Sequence, residues 1–287
     1  MSASERLRSI EARAHDIAGL PVRRAIPTRE CRAVGPYVFL DHMGPTAAGE
    51  VKINVRPHPH IGLATVTYLF DGEIVHRDSL GSLQTIAPGA VNWMNAGKGI
   101  VHSERARTDV PAPSLHGTQF WVALPLGAEE SMPSFQHHPA ATLPVLSDNG
   151  VRMRVLAGEA FGAESPVATL SSLFQVDVQL DAGARLQLPI EYEERALYVA
   201  QGVVRVGDEL AQVGKMLVFT PRSEVIVEAL EGCRLMLFGG AKLDAPRYMD
   251  WNFVSSSKER LEQAKSDWRA QRFDKVPGDE QEWIPLP

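Results

Sequence analysis

The sequence predicts an all-β protein in which two similar β-barrels are followed by a C-terminal helix and an extended tail. Short segments rich in β-branched and aromatic residues, such as 64–70 and 117–125, alternate with turns of Gly and Pro, which is the pattern of strands. The two halves of the chain resemble each other, which indicates a duplicated barrel. A helical pattern stands near the C-terminus.

Residues 56–104 have the pattern of a β meander. The predicted strands are 64–70, 73–78, 90–94 and 100–104, and the turns between them are Asp71-Gly72, Pro88-Gly89 and Gly97-Lys98-Gly99. A meander of this length brings its last strand back beside its first when it closes into a small barrel. The two ends of residues 56–104 are therefore expected to lie close together.

Two pairs of metal-ligating residue types mark the ends of this meander. His58 and His60 stand two positions apart, as do His102 and Glu104, and side chains two apart on a strand point to the same face. Three imidazoles and one carboxylate form a mixed nitrogen and oxygen set that suits Fe, Mn, Co, Ni, Cu or Zn. The alternative for a His on an apolar strand is a hydrogen-bonded core residue. A second pair at the same spacing favours a metal site.

The second half of the chain repeats the first without these residues. The segments 68–72 and 198–202 are similar and align Gly72 with Gly202. Counting from the turns aligns His58, His60, His102 and Glu104 with Leu188, Ile190, Val227 and Ala229, respectively. Aliphatic side chains cannot bind a metal but fill a barrel interior well. The second barrel is therefore predicted to be structural; the alternative is that any two strand-rich segments align this well.

Three sequence strings resemble a known family. An HxH pair, a strand, a turn glycine, Pro-Gly and a later His form the cupin pattern, and GPYVFLDHMGP at 35–45, HPHIGLATV at 58–66 and GKGIVHSE at 97–104 are similar to pirin strings. The resemblance runs from about Val22 to the C-terminus. It implies two cupin barrels, a bicupin, with His58, His60, His102 and Glu104 as ligands of one metal ion in the first. Cupins at large carry the carboxylate a few residues after the first HxH, so its place beside the later His favours pirins in particular.

The resemblance implies a metal-dependent dioxygenase of the quercetin 2,3-dioxygenase type. The metal ion is expected to be iron(II), with Mn, Co, Ni, Cu and Zn as alternatives, and the substrates to be a flavonol and O2. Glu104 has a second expected role as the general base that takes the proton of the flavonol hydroxyl. The alternative function implied by the same resemblance is an iron-binding redox sensor or co-regulator that acts on a protein partner. The sequence lacks a nucleophile motif such as GxSxG, which disfavours a non-metal hydrolase.

Length and composition fit two globular domains. The 287 residues are expected to form a cupin domain at 1–140 that carries the metal site, and a second cupin domain with the C-terminal helix at 141–287. The net charge of −6 argues against direct binding of nucleic acid, which needs a basic face. The sequence shows neither the apolar core of a signal peptide nor an apolar run long enough to span a bilayer, so a cytoplasmic protein is expected. Cys31 and Cys233 do not suggest a disulfide framework.

Several segments outside the meander have predicted roles. Residues 1–18 are polar and permit a helix, and Asp41, in a turn-rich segment, either closes a turn or lies near the mouth of the pocket. Trp121 is expected in the core, and Trp93 and Met94 either in the core or in the wall of an aromatic pocket. The pair at 137–138, both His, is expected in a linker, where neighbours point to opposite sides and cannot chelate.

The C-terminal segment predicts a helix and a strap. Ser256 and Glu259 match a capping box. Leu261, Ala264 and Trp268 form a helical stripe that is expected to pack on the barrels. Residues 276–287 contain three prolines and are expected to be extended.

Overall fold

The protein is described by a computed structural model, which covers residues 7–17, 19–50, 53–107 and 114–287. The strands of the first half are β1 (Leu7–Glu11), β2 (Arg13–Ile17), β3 (Leu20–Ile26), β4 (Tyr37–Thr46), β5 (Asn54–His60), β6 (Leu63–Asp71), β7 (Ile74–Asp78), β8 (Leu83–Ile86), β9 (Val91–Asn95), β10 (Ile100–Arg105), β11 (Leu115–Ala123) and β12 (Ser134–His138). The strands of the second half are β13 (Val145–Asp148), β14 (Val151–Ala160), β15 (Ala163–Glu164), β16 (Leu173–Leu180), β17 (Arg185–Gln187), β18 (Glu194–Gln201), β19 (Val203–Val206), β20 (Glu209–Gln212), β21 (Lys215–Phe219), β22 (Ile226–Ala229), β23 (Cys233–Gly240), β24 (Tyr248–Asp250) and β25 (Phe253–Ser255). The described residues also form one α-helix, α1 (Lys258–Arg269), and two 3-10 helices, Leu126–Ala128 and Ala140–Thr142.

Two barrels with the same strand order account for most of these strands. One, called the histidine barrel below, combines a seven-stranded sheet in the order β12-β9-β6-β11-β4-β3-β2 with a four-stranded sheet in the order β5-β10-β7-β8. The other, called the aliphatic barrel, combines the order β1-β21-β18-β23-β16-β14-β13, with β15 beside β14, and the order β17-β22-β19-β20. The two orders match position by position. The predicted all-β fold with a duplicated barrel is confirmed.

The described chain contains two compact units of interleaved segments. One unit is made of Met1–Ala14, Arg23–His42 and Ala141–Lys242, and the other of His15–Val22, Met43–Ala140 and Leu243–Pro287. The C-terminal helix and tail thus belong to the unit that contains the histidine meander. The predicted domain ranges, 1–140 and 141–287, are contiguous and stay a prediction.

The N-terminal segment is a strand pair rather than a helix. Residues 7–11 form β1, which pairs with β21 of the aliphatic barrel, and residues 13–17 form β2. The helical expectation for residues 1–18 is wrong for these two stretches, and residues 1–6 and 18 lie outside the described ranges. Polar sequences have weak intrinsic preferences, and pairing with a neighbouring strand overrides them.

The interior of the aliphatic barrel corrects one part of the predicted alignment. Val227 pairs with Leu186 here, as His102 pairs with His58 in the other barrel, so Leu186 and Leu188 correspond to His58 and His60. Ile190, the predicted counterpart of His60, is exposed, whereas Leu186 and Leu188 lie in the core.

The predicted alignment is wrong by two residues, because Leu188 stands 14 positions before Gly202, whereas His60 stands only 12 before Gly72. Val227 and Ala229 lie in the same core, so the predicted aliphatic interior is confirmed at Leu188, Val227 and Ala229, and Leu186 takes the fourth position in place of Ile190.

The C-terminal helix packs on the strands that carry the histidines. Its buried residues are Leu261, Ala264 and Trp268, which is the predicted stripe, and they cluster with Ile61 and Val101 of the histidine barrel. The tail continues along the same strands, where the Ile284 N–H donates to the Pro57 carbonyl at 2.9 Å. Gly62 lets strand β25, which precedes the helix, approach β5 and β6, because a Cβ there would collide with the Val254 carbonyl oxygen. No helix of the described ranges is long and apolar enough to cross a membrane.

The helix cap lies one residue later than predicted. Ser257 rather than Ser256 is the N-cap, and its hydroxyl accepts a hydrogen bond from the Arg260 N–H at 3.2 Å. Ser256 instead binds the Glu129 carboxylate through its N–H and its hydroxyl. Glu259 accepts a hydrogen bond from the Ser257 hydroxyl, and the helix ends at Arg269.

Replacing Ser257 by alanine is expected to lower the free energy of unfolding by about 1 kcal/mol, because one N–H of the first helical turn loses its acceptor. Urea unfolding followed by tryptophan fluorescence measures the change. Ser257→Asp is the matched control, since aspartate is an equally good cap and is expected to retain the stability of the unsubstituted protein. Equal stability of Ser257→Ala and Ser257→Asp would contradict the capping role.

Candidate metal centre

The two predicted ligand pairs lie on neighbouring strands. β5 carries His58 and His60, and β10 carries His102 and Glu104. The strands are antiparallel, and His102 lies directly opposite His58. All four side chains are buried.

Three imidazoles converge on one point. The possible ligand atoms of His58, His60 and His102 all lie within 4.8 Å of one another, which is a group that could hold a metal ion. The Nε2 atoms of His60 and His102 are 3.1 Å apart. The ring centroids of His58 and His102 are separated by 4.4 Å, and those of His60 and His102 by 5.0 Å. Three nitrogen donors from two strands are thus held together by the sheet.

The hydrogen-bond partners fix the tautomers. His58 Nδ1 lies 2.8 Å from the Arg56 carbonyl oxygen, and His60 Nδ1 lies 3.0 Å from the Asn252 carbonyl oxygen. A carbonyl only accepts, so both Nδ1 atoms carry the proton and both Nε2 atoms carry a lone pair. Metal-binding histidines are usually oriented by such bonds from the other ring nitrogen.

His102 completes the group in a way that suits a cation. Because His60 Nε2 is an acceptor, His102 Nε2–H donates to it at 3.1 Å. His102 Nδ1 is then an acceptor, and it is buried without a hydrogen-bond partner among the described residues. A cation between the Nε2 atoms would replace that proton and leave Nδ1 protonated. The donor set therefore fits a divalent metal ion.

Burial keeps these imidazoles neutral. Desolvation lowers the pKa of His60 and His102 well below the ordinary value, and the neighbouring histidines lower it further. Desolvation also lowers the pKa of His58, although its bond to the Arg56 carbonyl and the nearby Glu104 carboxylate oppose the shift. Neutral imidazole is the form that binds metals.

Glu104 lies beside the imidazoles but outside their compact group. A β-bulge separates it from His102, so that Glu104 faces Val55 on β5. Gln119 Nε2 donates to both carboxylate oxygens of Glu104, at 2.8 and 3.0 Å, and Thr67 Oγ1 donates to Oε1 at 3.3 Å. The carboxylate is therefore held by donors from the opposite sheet. Its assignment as a fourth metal ligand stays a prediction.

Gln119 and Thr67 are site residues that the sequence reasoning missed. Both lie in predicted strands, and Gln119 stands two positions before Trp121, on the same face. This two-residue spacing from Trp121 is the sequence feature that indicates a place for Gln119 on the same face. The contact with Glu104 itself depends on the pairing of β6 with β11, which no local pattern gives.

A further buried pair borders the imidazoles. His76 Nε2 donates to Asp78 Oδ2 at 3.0 Å, and the rings of His76 and His102 are 5.4 Å apart. Burial alone raises the pKa of Asp78, but hydrogen bonds from His76 and Ser82 bring it below its ordinary value. The His-x-Asp spacing on β7 is the same two-residue spacing that marked the ligand pairs, so the sequence carried a signal for it.

Aromatic and apolar side chains surround the imidazoles. Trp121 meets His60 edge to face at a centroid distance of 5.1 Å, and Phe135 stacks on His76 at 4.4 Å. Met94 lies opposite Thr65, on the face of the sheet that Trp121 also occupies. Trp93 points to the other face, because adjacent strand residues alternate. Met94 and Trp93 are the two predicted candidates for a pocket wall. Met94 shares a face with Trp121, whereas Trp93 does not.

Two other expectations are wrong: the turn role of Asp41, whose alternative place near the pocket mouth stays a prediction, and the linker at 137–138. Asp41 lies inside strand β4, buried, and Arg24 donates to its two oxygens at 2.8 and 2.7 Å, so it does not close a turn. His137 and His138 lie in strand β12 rather than a linker. Residues 37–40 have a strand pattern that continues through Asp41, whereas residues 134–138 join the sheet through their pairing with β9.

Comparison with known families matches both halves of the chain. Residues 19–122 match the family described as Pirin, and residues 175–274 match the Pirin C-terminal cupin domain. A pirin-like protein from Caulobacter vibrioides is 51% identical over 283 residues, covering 96% of this chain and 98% of the relative. Pirin from Homo sapiens is 32% identical over 259 residues, covering 88% and 87%.

A solved structure shows the same fold. The crystal structure of a quercetin 2,3-dioxygenase from Acinetobacter baumannii aligns with a TM-score of 0.93 and 34% sequence identity, over 99% of this chain and 96% of that one. The match extends over both cupin barrels, and the resemblance inferred from the three sequence strings is confirmed. The chain belongs to the pirin family of bicupin proteins.

Proposed function

We propose that this protein is a metal-dependent dioxygenase that cleaves a flavonol with O2, with iron(II) held by His58, His60 and His102. The observation that carries the proposal is the group of three buried, neutral imidazoles whose possible ligand atoms lie within 4.8 Å of one another. The similarity to the quercetin 2,3-dioxygenase of A. baumannii supports the substrate class. A bound divalent ion would act as a Lewis acid toward the flavonol hydroxyl and keep a position open for O2.

The protein's own residues divide the remaining work. The Arg56 and Asn252 carbonyls orient two of the imidazoles and leave their Nε2 lone pairs available to hold an ion. Glu104 accepts the hydroxyl proton of the flavonol, and Gln119 and Thr67 hold its oxygens in place for that transfer. Trp121 and Met94 keep the surroundings of the imidazoles apolar. Dioxygen adds to the electron-rich flavonol ring, one ring carbon leaves as carbon monoxide, and both oxygen atoms of O2 remain in the ring-opened product.

Oxygen uptake with quercetin tests the reaction. Protein loaded separately with iron(II), Mn, Co, Ni, Cu or Zn is expected to consume O2 and release carbon monoxide, most rapidly with the native metal. Elemental analysis of protein made without added metal identifies that metal. A sensor or co-regulator would bind the metal without consuming O2 in the presence of quercetin, and that result would contradict the enzymatic proposal.

Replacing Glu104 by glutamine is expected to lower kcat by about 100-fold or more, because the amide cannot accept the hydroxyl proton. Metal content measured in parallel separates loss of the base from loss of the ion. Glu130→Gln is the matched control, since that carboxylate is exposed and forms an ion pair with Arg260. Full turnover by Glu104→Gln would contradict its role as the base.

A further inference from the structure

A row of polar side chains crosses four strands of the histidine barrel. Gln119 on β11 lies opposite Thr67 on β6, Thr67 lies opposite Asn92 on β9, and Asn92 lies opposite His137 on β12. Directly opposite residues of antiparallel strands share a face of the sheet. Because Thr67 and Gln119 bind Glu104, this face is turned toward the metal centre. These four residues are called the polar row.

The neighbouring row is built differently. Two residues along each strand stand Trp121, Thr65, Met94 and Phe135, which are also opposite one another. Trp121 contacts His60, and Phe135 stacks on His76. The interior therefore presents a mainly apolar row to the imidazoles and the polar row to Glu104.

The aliphatic barrel shows that the fold does not require the polar row. Leu197 stands five positions before Gly202, as Thr67 stands five before Gly72. Leu197 lies opposite Leu237 and Leu217, and Leu217 lies opposite Ser9. The three leucines are fully buried in that barrel's core. The same positions hold Gln119, Asn92 and Thr67 in the histidine barrel, and buried polar groups in place of leucine mark a functional surface.

The other half of the polar row, Asn92 and His137, does not hold the Glu104 carboxylate. His137 Nδ1 lies 2.7 Å from Asn92 Oδ1, so the imidazole N–H donates to the amide oxygen. Neither Asn92 Nδ2 nor His137 Nε2 has a hydrogen-bond partner among the residues that the structure describes. The first is a donor and the second an acceptor. A hydroxyl group complements that pair, since it accepts from the amide and donates to the imidazole.

The distance between strands β9 and β11 sets the size of a molecule that would bind to both ends of the polar row. Asn92 is two strands from Gln119, a separation of about 10 Å at ordinary strand spacing. That distance corresponds to a molecule of two or three fused or linked aromatic rings. One hydroxyl of such a molecule would lie near Glu104 and the imidazoles, and another at Asn92 and the half-buried His137.

We infer that Asn92 and His137 bind a ring hydroxyl of the substrate remote from the reacting one, and thereby select polyhydroxylated substrates over those that lack it. This inference rests on the proposed function, because it names the part of a flavonol that the same site recognises. Neither residue touches the reacting atoms, so both determine specificity rather than perform chemistry.

Binding measured without turnover tests the inference. Quercetin and flavonols that each lack one of its ring hydroxyls are titrated anaerobically into metal-loaded protein, and kcat/KM is measured separately in air. The unsubstituted protein is expected to bind quercetin about 10-fold more tightly than the analogue without the recognised hydroxyl, as one hydrogen bond would give. Asn92→Leu and His137→Ser place the residues of the aliphatic barrel at these positions and are expected to fold, to retain the metal and to lose that 10-fold preference.

The control is His138→Ser, on the same strand but the opposite face, which is expected to keep the preference. Equal discrimination by the unsubstituted protein, Asn92→Leu and His137→Ser would overturn the inference while leaving the proposed function intact. So would a protein that binds all the flavonols equally. A metal-loaded protein that binds no flavonol would overturn both, and the three results are distinguishable in one titration series.

Discussion

Replacing His60 by alanine is expected to abolish oxygen consumption with quercetin and to weaken binding of a divalent cation by more than about 100-fold. Loss of a group that only orients a ligand already weakens metal binding by about 10- to 100-fold, and His60 is itself a candidate ligand. His60 contributes one of the two Nε2 atoms that lie 3.1 Å apart, and its ring is fixed by the Asn252 carbonyl. Cation affinity is measured by competition with a chelator, and turnover with an oxygen electrode.

His15→Ala is the matched control for that experiment, because the His15 side chain is exposed and distant in sequence from the candidate ligands. It is expected to leave affinity and turnover unchanged. His60→Gln removes the imidazole with less loss of buried volume and guards against a variant that merely unfolds. Retention of tight cation binding by both His60 variants would contradict the assignment of the site.

Lowering the pH below 6.5 is expected to destabilise the metal-free protein steeply, because the pKa of each of the three imidazoles is lower in the folded chain than its ordinary value of 6.5. The unfolded chain takes up protons on these rings as the pH falls through 6.5, whereas the folded chain does so only at lower pH. The stability is therefore complete above pH 6.5 and is lost as the pH falls toward the folded pKa values. Three protons correspond to at most about 4 kcal/mol per pH unit.

Urea unfolding of the metal-free protein at pH values above and below 6.5 measures this slope. His60→Asn is expected to reduce the slope by one proton. Addition of the cation at about 100 times its dissociation constant is expected to raise the free energy of unfolding at neutral pH by about 2.7 kcal/mol. A slope that is the same in His60→Asn and in the unsubstituted protein would contradict the burial of a neutral imidazole at this position.

The residue types of the metal centre were predictable because strand periodicity is a local property. Side chains two apart share a face in any strand, so His58 and His60, and also His102 and Glu104, form pairs before any fold is known. The helical stripe of Leu261, Ala264 and Trp268 was predictable for the same reason, and it is buried as expected. The predicted N-cap was wrong by one residue, because the Ser256 hydroxyl donates a hydrogen bond to Glu129, which is far away in sequence.

The contacts between strands were not predictable in the same way. The alignment of the two halves was wrong by two residues at Leu186 and Leu188, since a longer connection before β18 shifts the count while the pairing with β22 is kept. The sequence predicts a linker at His137 because its own segment has no strand pattern. Pairing with β9 places it in the sheet opposite Asn92.

The sequence by itself determined that the chain consists of two related β-barrels, that the first carries His58, His60, His102 and Glu104, and that the second carries aliphatic residues there. Only the tertiary structure decided that three imidazoles form the compact group, that the Arg56 and Asn252 carbonyls fix two of their tautomers, and that Gln119 holds Glu104. It also assembled the polar row from strands spread between residues 67 and 137. The physical reason is that alternation along a strand follows from backbone geometry, whereas the register between strands depends on loop lengths, bulges and the packing of the whole barrel.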